Sequence, residues 1–224
     1  MDSERDSHRV FLVRHGETAW NKEFRYQGIS DVPLDDEGLE QARRVGLRLS
    51  LVPADRVLTS PLSRARRTTE IIMEHNPSSA EITTKKELVE ISFGIWEGLT
   101  VSEIKEIDGD TFSKWRETPF FCVPEGGESL SDVFGRSKTF ADELIEAGSP
   151  GEDTFVVAHG GVIRALAAVL LGFDRIDLLW RMRFDNCSVT VIDIWKKSAS
   201  MLLSNDTNHL RLDDRAIPSL VFPR

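Results

Sequence analysis

Short apolar runs alternate along the chain with longer segments in which apolar residues recur at helical spacing. A short apolar run bounded by polar residues is typical of a strand buried on both faces of a sheet. Such runs predict strands at 10–13, 56–60, 154–158 and 188–195, with a further strand at 200–203. Because Lys196, Lys197 and Ser198 separate the last two, these are expected to form an edge hairpin.

The segments between the strands predict helices that begin near residues 35, 61, 129 and 160. Acidic residues at 35–37 suit a helix N-terminus, Pro61 suits a first helical position, and Ser129 or Ser131 suits a cap. Strands that alternate with helices predict an α/β fold, a three-layer αβα sandwich. Its central sheet is expected to be mostly parallel, with helices on both faces.

The segment at 81–127 departs from this alternation and is rich in aromatic residues: Phe93, Trp96, Phe112, Trp115, Phe120 and Phe121. No internal repeat, low-complexity tract or linker interrupts the chain. We therefore expect a single domain over 1–224 that carries an irregular, lid-like insert at about 81–127.

Charge and cysteine content indicate which partners and which cellular compartment suit the protein. Lys and Arg number 28 against 37 Asp and Glu, a formal net charge of −9, which argues against nucleic acid or an anionic membrane as partner. The first six residues lack a signal-peptide apolar region, and no run of eighteen apolar residues occurs. Cys122 and Cys187 are isolated. We expect a cytoplasmic protein.

Candidate chemistry lies where two predicted strands end, because His15 and His159 each follow a strand and precede a glycine. Ligands bind beyond the carboxyl ends of parallel strands. Gly160 and Gly161, at a helix start, offer backbone N–H groups to an anion, and Arg14 and Arg64 add guanidinium groups suited to a tetrahedral dianion. A single such histidine is often a hydrogen-bonded core residue, but clustered buried positive charge indicates an anion site.

Four blocks of sequence resemble the histidine phosphatase superfamily, also called phosphoglycerate mutase-like. They are LVRHGET at 12–18, SPLSRA at 60–65, EISFGIWEG at 90–98 and VAHGG at 157–161. The resemblance implies that His15 attacks phosphorus as a neutral imidazole and forms phosphohistidine. It further implies that Arg14, Arg64 and His159 hold the phosphate oxygens.

The same resemblance assigns proton transfer to Glu90, which only the Phe-Gly-x-Trp-Glu-Gly context distinguishes from Glu87 and Glu97. It also implies that Asn21 and Gln27 contact phosphate oxygens. No His-Glu-x-x-His motif or cysteine cluster occurs, so no metal is expected, and the family implies no cofactor.

Three functions fit this family. A metal-independent phosphomonoesterase acting on small-molecule phosphate esters is favoured, and the blocks at 25–28 and 125–129 look like alpha-ribazole phosphatase and broad-specificity bacterial phosphatases. Phosphoglycerate mutase is the alternative, but the mutase pattern Glu-Arg-x-Tyr-Gly is absent at 90–94. A non-catalytic scaffold is the third, disfavoured because the chemical groups are all present. An edge strand near the C-terminus can pair with the same strand of a second copy, which would give a homodimer.

Overall fold

A computed structural model describes residues 5–173, 181–195, 198–211, 217 and 219–220. Within them one sheet contains β1 (His8–Arg14), β2 (Arg56–Thr59), β3 (Ile82–Thr84), β4 (Asp153–Ala158), β5 (Val189–Trp195) and β6 (Ser198–Asp206). The strand order is β3-β2-β4-β1-β5-β6. The first four strands pair in parallel, and β5 is antiparallel to both β1 and β6.

The helices are α1 (Ala19–Lys22), α2 (Asp36–Arg48), α3 (Ser63–Glu74), α4 (Val101–Glu117), α5 (Leu130–Ala147) and α6 (Gly160–Leu170). Asp35 caps α2 by accepting from the Gly38 N–H. Ser129, rather than Ser131, caps α5. The third helix starts at Ser63, so Pro61 lies two residues before it and not at its first position.

Side chains of β1 alternate between two buried layers, as the pleat of a strand requires. Val10 and Leu12 pack with apolar residues of α5 and α6, whereas Phe11 and Val13 pack with those of α2 and α3. A strand covered on both faces has no polar side, which explains its continuous apolar sequence. The predicted α/β sandwich, with a mostly parallel sheet, is confirmed.

The interval 81–127 is more regular than the sequence predicted. It contributes β3 to the sheet and the 17-residue α4, which bends at Asp108. A reciprocal capping box between Thr100 and Glu103 starts α4, and an apolar face brings Phe112 and Trp115 into an aromatic cluster. Aromatic residues at irregular spacing concealed this helix.

Two further features lie at the ends of strands. His8 is buried at the start of β1, where its Nε2 lies 2.8 Å from Thr154 Oγ1. The strands β5 and β6 pair as predicted, but Lys196 and Lys197 of the expected turn lie outside the described residues. No helix in the described part of the chain is both long and apolar enough to cross a membrane.

Candidate active site

The site lies at the carboxyl edge of the sheet, where β2, β4 and β1 end side by side. Backbone pairing continues one residue past these strands: the His15 N–H donates to Ala158 O at 2.9 Å, and the Ser60 N–H to Val157 O at 3.1 Å. His15 and His159 thus occupy neighbouring positions, and their buried rings have centroids 5.0 Å apart. The sheet brings together two histidines that are 144 residues apart in sequence.

Hydrogen bonding determines which nitrogen of His15 carries the proton. The ring Nδ1 lies 2.7 Å from the carbonyl oxygen of Gly16, which only accepts, so Nδ1 is the protonated donor. Nε2 therefore retains its lone pair. Burial lowers the pKa of His15 well below its usual value, and Arg64 and Arg14 lower it further, while the bond to Gly16 opposes this. The imidazole is neutral at pH 7.

His159 differs from His15 in that both of its ring nitrogens form hydrogen bonds to neighbouring side chains. Arg64 Nε, which only donates, lies 3.2 Å from His159 Nδ1, so that nitrogen accepts and Nε2 donates to Ser60 Oγ at 2.8 Å. Arg64 is itself fully buried, and its remaining nitrogens donate to the carbonyls of Gly28 and Ser30. Burial, then His15 and Arg64, lower the pKa of His159 well below its usual value.

Arg14 approaches the same edge from the end of β1. Its Nη1 donates to Phe184 O at 2.8 Å, while its Nε is buried without a hydrogen-bond partner among the described residues. A Cβ on Gly160 would lie 3.5 Å from that Nε, so the glycine backbone packs against the guanidinium. Burial lowers the pKa of Arg14 and Glu90 opposes this shift. A buried donor of this kind is satisfied by an anion.

Glu90 lies at the N-terminus of α6. Its carboxylate accepts from the N–H groups of Ile91 at 2.9 Å, Gly161 at 3.0 Å and Val162 at 3.2 Å. The N–H of Gly161 is thus already engaged, whereas the sequence suggested that both glycines were available to an anion. Glu97 faces elsewhere and accepts from backbone N–H groups at 29, 30 and 93. Of these two acids, only Glu90 lines the adjoining cavity.

A cavity of about 230 Å³ opens beside Arg14 and Glu90. Apart from these two residues, its wall is formed by Ile91, Phe93, Trp115, Leu130, Phe134, Gly160, Gly161, Arg164, Ala165 and Phe184. Arg164, which the sequence analysis did not single out, donates through Nε and Nη2 to Met182 O at 3.3 Å. Its spacing of four residues from Gly160 places both on one face of α6, a signal that helical periodicity provides.

Asn21 and Gln27, the two expected phosphate contacts, are placed differently from each other. Asn21 Oδ1 accepts from the Thr18 N–H at 3.2 Å and thereby caps α1. Gln27 is buried, and its Oε1 has no hydrogen-bond partner among the described residues. The next residue, Gly28, accepts from Arg64, so the loop that carries Gln27 borders the cluster.

Asn186, which the sequence analysis overlooked, holds the loop that carries His15. Its Nδ2 donates to His15 O at 3.0 Å, to Gly16 O at 3.2 Å and to Asn21 Oδ1 at 3.2 Å. An asparagine before a strand suggests only a turn, so no pattern in the sequence distinguishes this residue. Over the described ranges, no group of three or more His, Cys, Asp or Glu side chains is arranged to hold a metal ion.

Sequence comparisons with known proteins give the family of this chain. The model of the histidine phosphatase superfamily (branch 1) matches residues 10–207. Phosphoserine phosphatase 1 of Hydrogenobacter thermophilus is 34% identical over 90% of this chain and 94% of its own length. A probable phosphoglycerate mutase of Cronobacter sakazakii is 31% identical, again over 90% of this chain and 94% of its own.

A solved structure extends the comparison to the fold. The structure of a putative alpha-ribazole-5'-P phosphatase from Escherichia coli has a TM-score of 0.82 and 30% identity, and covers 89% of this chain and 97% of its own. The predicted resemblance and the phosphatase class are thereby confirmed. The chain belongs to the histidine phosphatase superfamily.

Proposed function

We propose that the chain hydrolyses small-molecule phosphate monoesters through a phosphohistidine formed on His15. The observation that carries this proposal is the bond from His15 Nδ1 to Gly16 O, which leaves the lone pair on Nε2. Because burial and two neighbouring guanidinium groups disfavour the imidazolium form, the nucleophile is present at neutral pH without a separate base.

In this proposal Arg14, Arg64 and His159 bind the phosphoryl group, and His159 donates its Nε2 proton to a phosphate oxygen in place of Ser60 Oγ. The buried Nε of Arg14 is a donor that a phosphate oxygen satisfies, and Arg64, which is bonded to His159 Nδ1, contributes a second positive charge. Their charges are in place before substrate arrives, so they stabilise the negative oxygens of the transition state without reorganising. Gln27 and the backbone N–H of Gly160 supply further contacts to the phosphate oxygens. Asn21 acts indirectly, through the capping box that it forms with Thr18 at the start of α1.

Glu90 transfers protons on the leaving-group side. As Nε2 bonds to phosphorus, the ester P–O bond breaks and protonated Glu90 gives its proton to the departing alcohol oxygen. Water then attacks phosphorus, Glu90 takes a proton from it, and the bond to His15 breaks to release inorganic phosphate. The position of Glu90 in the cavity wall, beside Arg14, supports this role.

The leaving group occupies the cavity of about 230 Å³. Its wall is rich in apolar side chains, including Phe93 and Trp115 from the interval 81–127, which supports a lid role for that interval and a preference for partly apolar esters. The named relatives include a phosphoserine phosphatase and a putative alpha-ribazole-5'-P phosphatase, which act on different esters. Their names therefore give the class of substrate rather than one compound.

Hydrolysis is preferred over the mutase reaction because of two positions in the cavity. Ile91 and Phe93 line it where the mutase pattern has arginine and tyrosine, and neither side chain binds the carboxylate of a phosphoglycerate. We propose a cytoplasmic setting in which the free thiols of Cys122 and Cys187 stay reduced, with neither nucleic acid nor membrane as partner. Pairing of two copies along the edge strand β6 would give a homodimer.

The test is turnover of p-nitrophenyl phosphate in EDTA, with isomerisation of 3-phosphoglycerate assayed in the same preparations. We expect metal-free hydrolysis by the wild type, a loss of at least about 10³-fold in His15→Ala, and no isomerisation. His75→Ala, a histidine outside the cluster, is the matched control and should retain wild-type rates. Strong isomerisation with feeble hydrolysis would make the protein a mutase, and unchanged hydrolysis in His15→Ala would overturn the mechanism.

A further inference from the structure

The segment 184–188 contacts the nucleophile loop through several hydrogen bonds. Phe184 O accepts from Arg14 Nη1, and the Cys187 N–H donates to Arg14 O at 3.0 Å and to His15 O at 3.3 Å. Cys187 adopts the left-handed conformation, with φ of 49°, which a non-glycine residue retains only where its surroundings fix it. This segment therefore presents the Asn186 amide to the loop in one orientation.

The backbone N–H and carbonyl of Gly16 together take part in three hydrogen bonds. Its N–H donates to Thr68 Oγ1 at 3.1 Å, and its carbonyl accepts both from His15 Nδ1 at 2.7 Å and from Asn186 Nδ2 at 3.2 Å. A Cβ on Gly16 would come within 2.4 Å of Gly38 O, so the backbone there packs against α2. The carbonyl that orients the imidazole therefore accepts from one donor besides His15, the Asn186 amide.

We propose that Asn186 is a positioning residue for phosphoryl transfer, which sets the rotation of the His15 ring by fixing the Gly16 carbonyl. The inference rests on the proposed function, because it requires His15 to be the nucleophile. It adds a residue from the far end of the chain, 171 positions after His15, to the machinery of the reaction.

A single hydrogen bond limits ring rotation only if its acceptor is itself immobile. In-line attack requires Nε2 to point at phosphorus, and a displacement of about 1 Å can cost roughly 100-fold in rate. Asn186 also donates to His15 O and to Asn21 Oδ1, so one amide links the backbone of the nucleophile to the cap of α1. Without this amide, the Gly16 carbonyl can tilt and take the imidazole with it.

The experiment compares Asn186→Ala and the milder Asn186→Ser with Asn205→Gly. Asn205 is the matched control because its side chain bonds to Asp185 of the same segment and not to the nucleophile loop. Glycine also accepts the φ of 49° at that position. Single-turnover rates with p-nitrophenyl phosphate, competitive inhibition by inorganic phosphate, and the thermal unfolding midpoint are measured for each variant.

We expect the phosphorylation rate to fall roughly 10- to 100-fold in Asn186→Ala and less in Asn186→Ser. The inhibition constant of inorganic phosphate should change less than about threefold, because Arg14, Arg64 and His159 still bind it. Asn205→Gly should retain the wild-type rate even where its unfolding midpoint falls as far. Rates that follow the midpoint in all three variants, or equal losses of rate and phosphate binding, would overturn the inference.

Full hydrolysis by His15→Ala would be a different failure. It would refute the proposed function itself, and with it the reason for assigning Asn186 a role. Wild-type rates in Asn186→Ala, together with inactive His15→Ala, would refute only the role of Asn186.

Discussion

The phosphate side and the leaving-group side of the site are built in different ways. On the phosphate side, His15 and His159 follow adjacent parallel strands, and these histidines, Arg14 and Arg64 are oriented by hydrogen bonds to backbone or buried side chains. On the leaving-group side, the cavity wall consists largely of apolar side chains from loops, α4, α5 and α6. Hydrogen bonds on the phosphate side fix the orientation of its polar groups, whereas the leaving-group side provides a cavity with an apolar surface.

In the proposed mechanism, the phosphate side carries out the reaction and the leaving-group side selects the substrate. Under that mechanism, directional bonds around His15 determine which atom attacks and in which protonation state, and these bonds depend on the central sheet. Apolar contacts have no direction, so the cavity accepts alcohols according to size and polarity. Glu90 lies at the boundary, bound to the N-terminus of α6 yet facing the cavity.

Among the variants that distinguish the two sides of the site, Glu90→Gln is expected to have the largest effect on activity. In Glu90→Gln, kcat/KM for an alkyl ester such as glycerol 2-phosphate should fall roughly 10²- to 10³-fold, because alkoxide leaves poorly without a proton. For p-nitrophenyl phosphate it should fall less than about tenfold, since p-nitrophenolate needs none. Steady-state assays with both esters measure this, and Glu87→Gln is the neighbouring control. Equal losses on the two esters would remove Glu90 from the role of acid.

A smaller effect is expected on the leaving-group side. Phe134→Ala removes an aromatic wall of the cavity, so kcat/KM for p-nitrophenyl phosphate should fall about tenfold while inhibition by inorganic phosphate stays within about twofold. Phe121→Ala, whose side chain is 86% exposed, is the matched control and should change neither value. A parallel loss of phosphate inhibition in Phe134→Ala would show that the two sides are not separate.

The smallest effect is the dependence of rate on pH near neutrality. Because the pKa of His15 in the fold lies below its usual 6.5, the nucleophile stays unprotonated from pH 8 down to 6.5. We expect kcat/KM for p-nitrophenyl phosphate to vary by less than about twofold over that interval. It should be lost only as the pH falls through the lowered pKa. A group of pKa 7 or above in the acid limb would contradict the assignment of the nucleophile.

The free energy of unfolding changes with pH in the same direction as the rate, and it declines as the pH falls. The unfolded chain binds a proton at His15 and His159 near pH 6.5, whereas the fold does not. Their contribution to the free energy of unfolding is therefore full above that pH and declines as the pH falls toward the lowered values. Urea denaturation at pH 8 and pH 5.5 measures this decline, which His159→Gln should reduce.

The sequence predicted the phosphate side better than the leaving-group side, and the reason is physical. Strands with a glycine after a terminal histidine are local patterns, so His15 and His159 could be identified and paired through the topology of parallel sheets. Asn186 could not be identified, because its role depends on how a turn before β5 meets a loop after β1. Long-range contacts of this kind leave no periodic signal in the chain.

The cavity was only partly predictable for a related reason. Aromatic residues at 93–121 pointed to an apolar lid, but the helix α4 that carries Trp115 was not recognised, because its spacing is interrupted near Asp108. Glu90 was separated from Glu97 by motif alone. The structure now supplies the cause: Glu97 binds the backbone of the loop at 29–30, and Glu90 binds the start of α6.

The central claim is that His15 carries the phosphoryl group, and rapid-quench trapping tests it most directly. Glu90→Gln is mixed with ³²P-labelled p-nitrophenyl phosphate, whose leaving group needs no proton, then quenched in base within milliseconds and digested, because phosphohistidine is stable in base and labile in acid. We expect an acid-labile label on the peptide that contains His15, formed before phosphate release and absent from His15→Ala. A label on another residue, or full turnover with no label at any time, would contradict it.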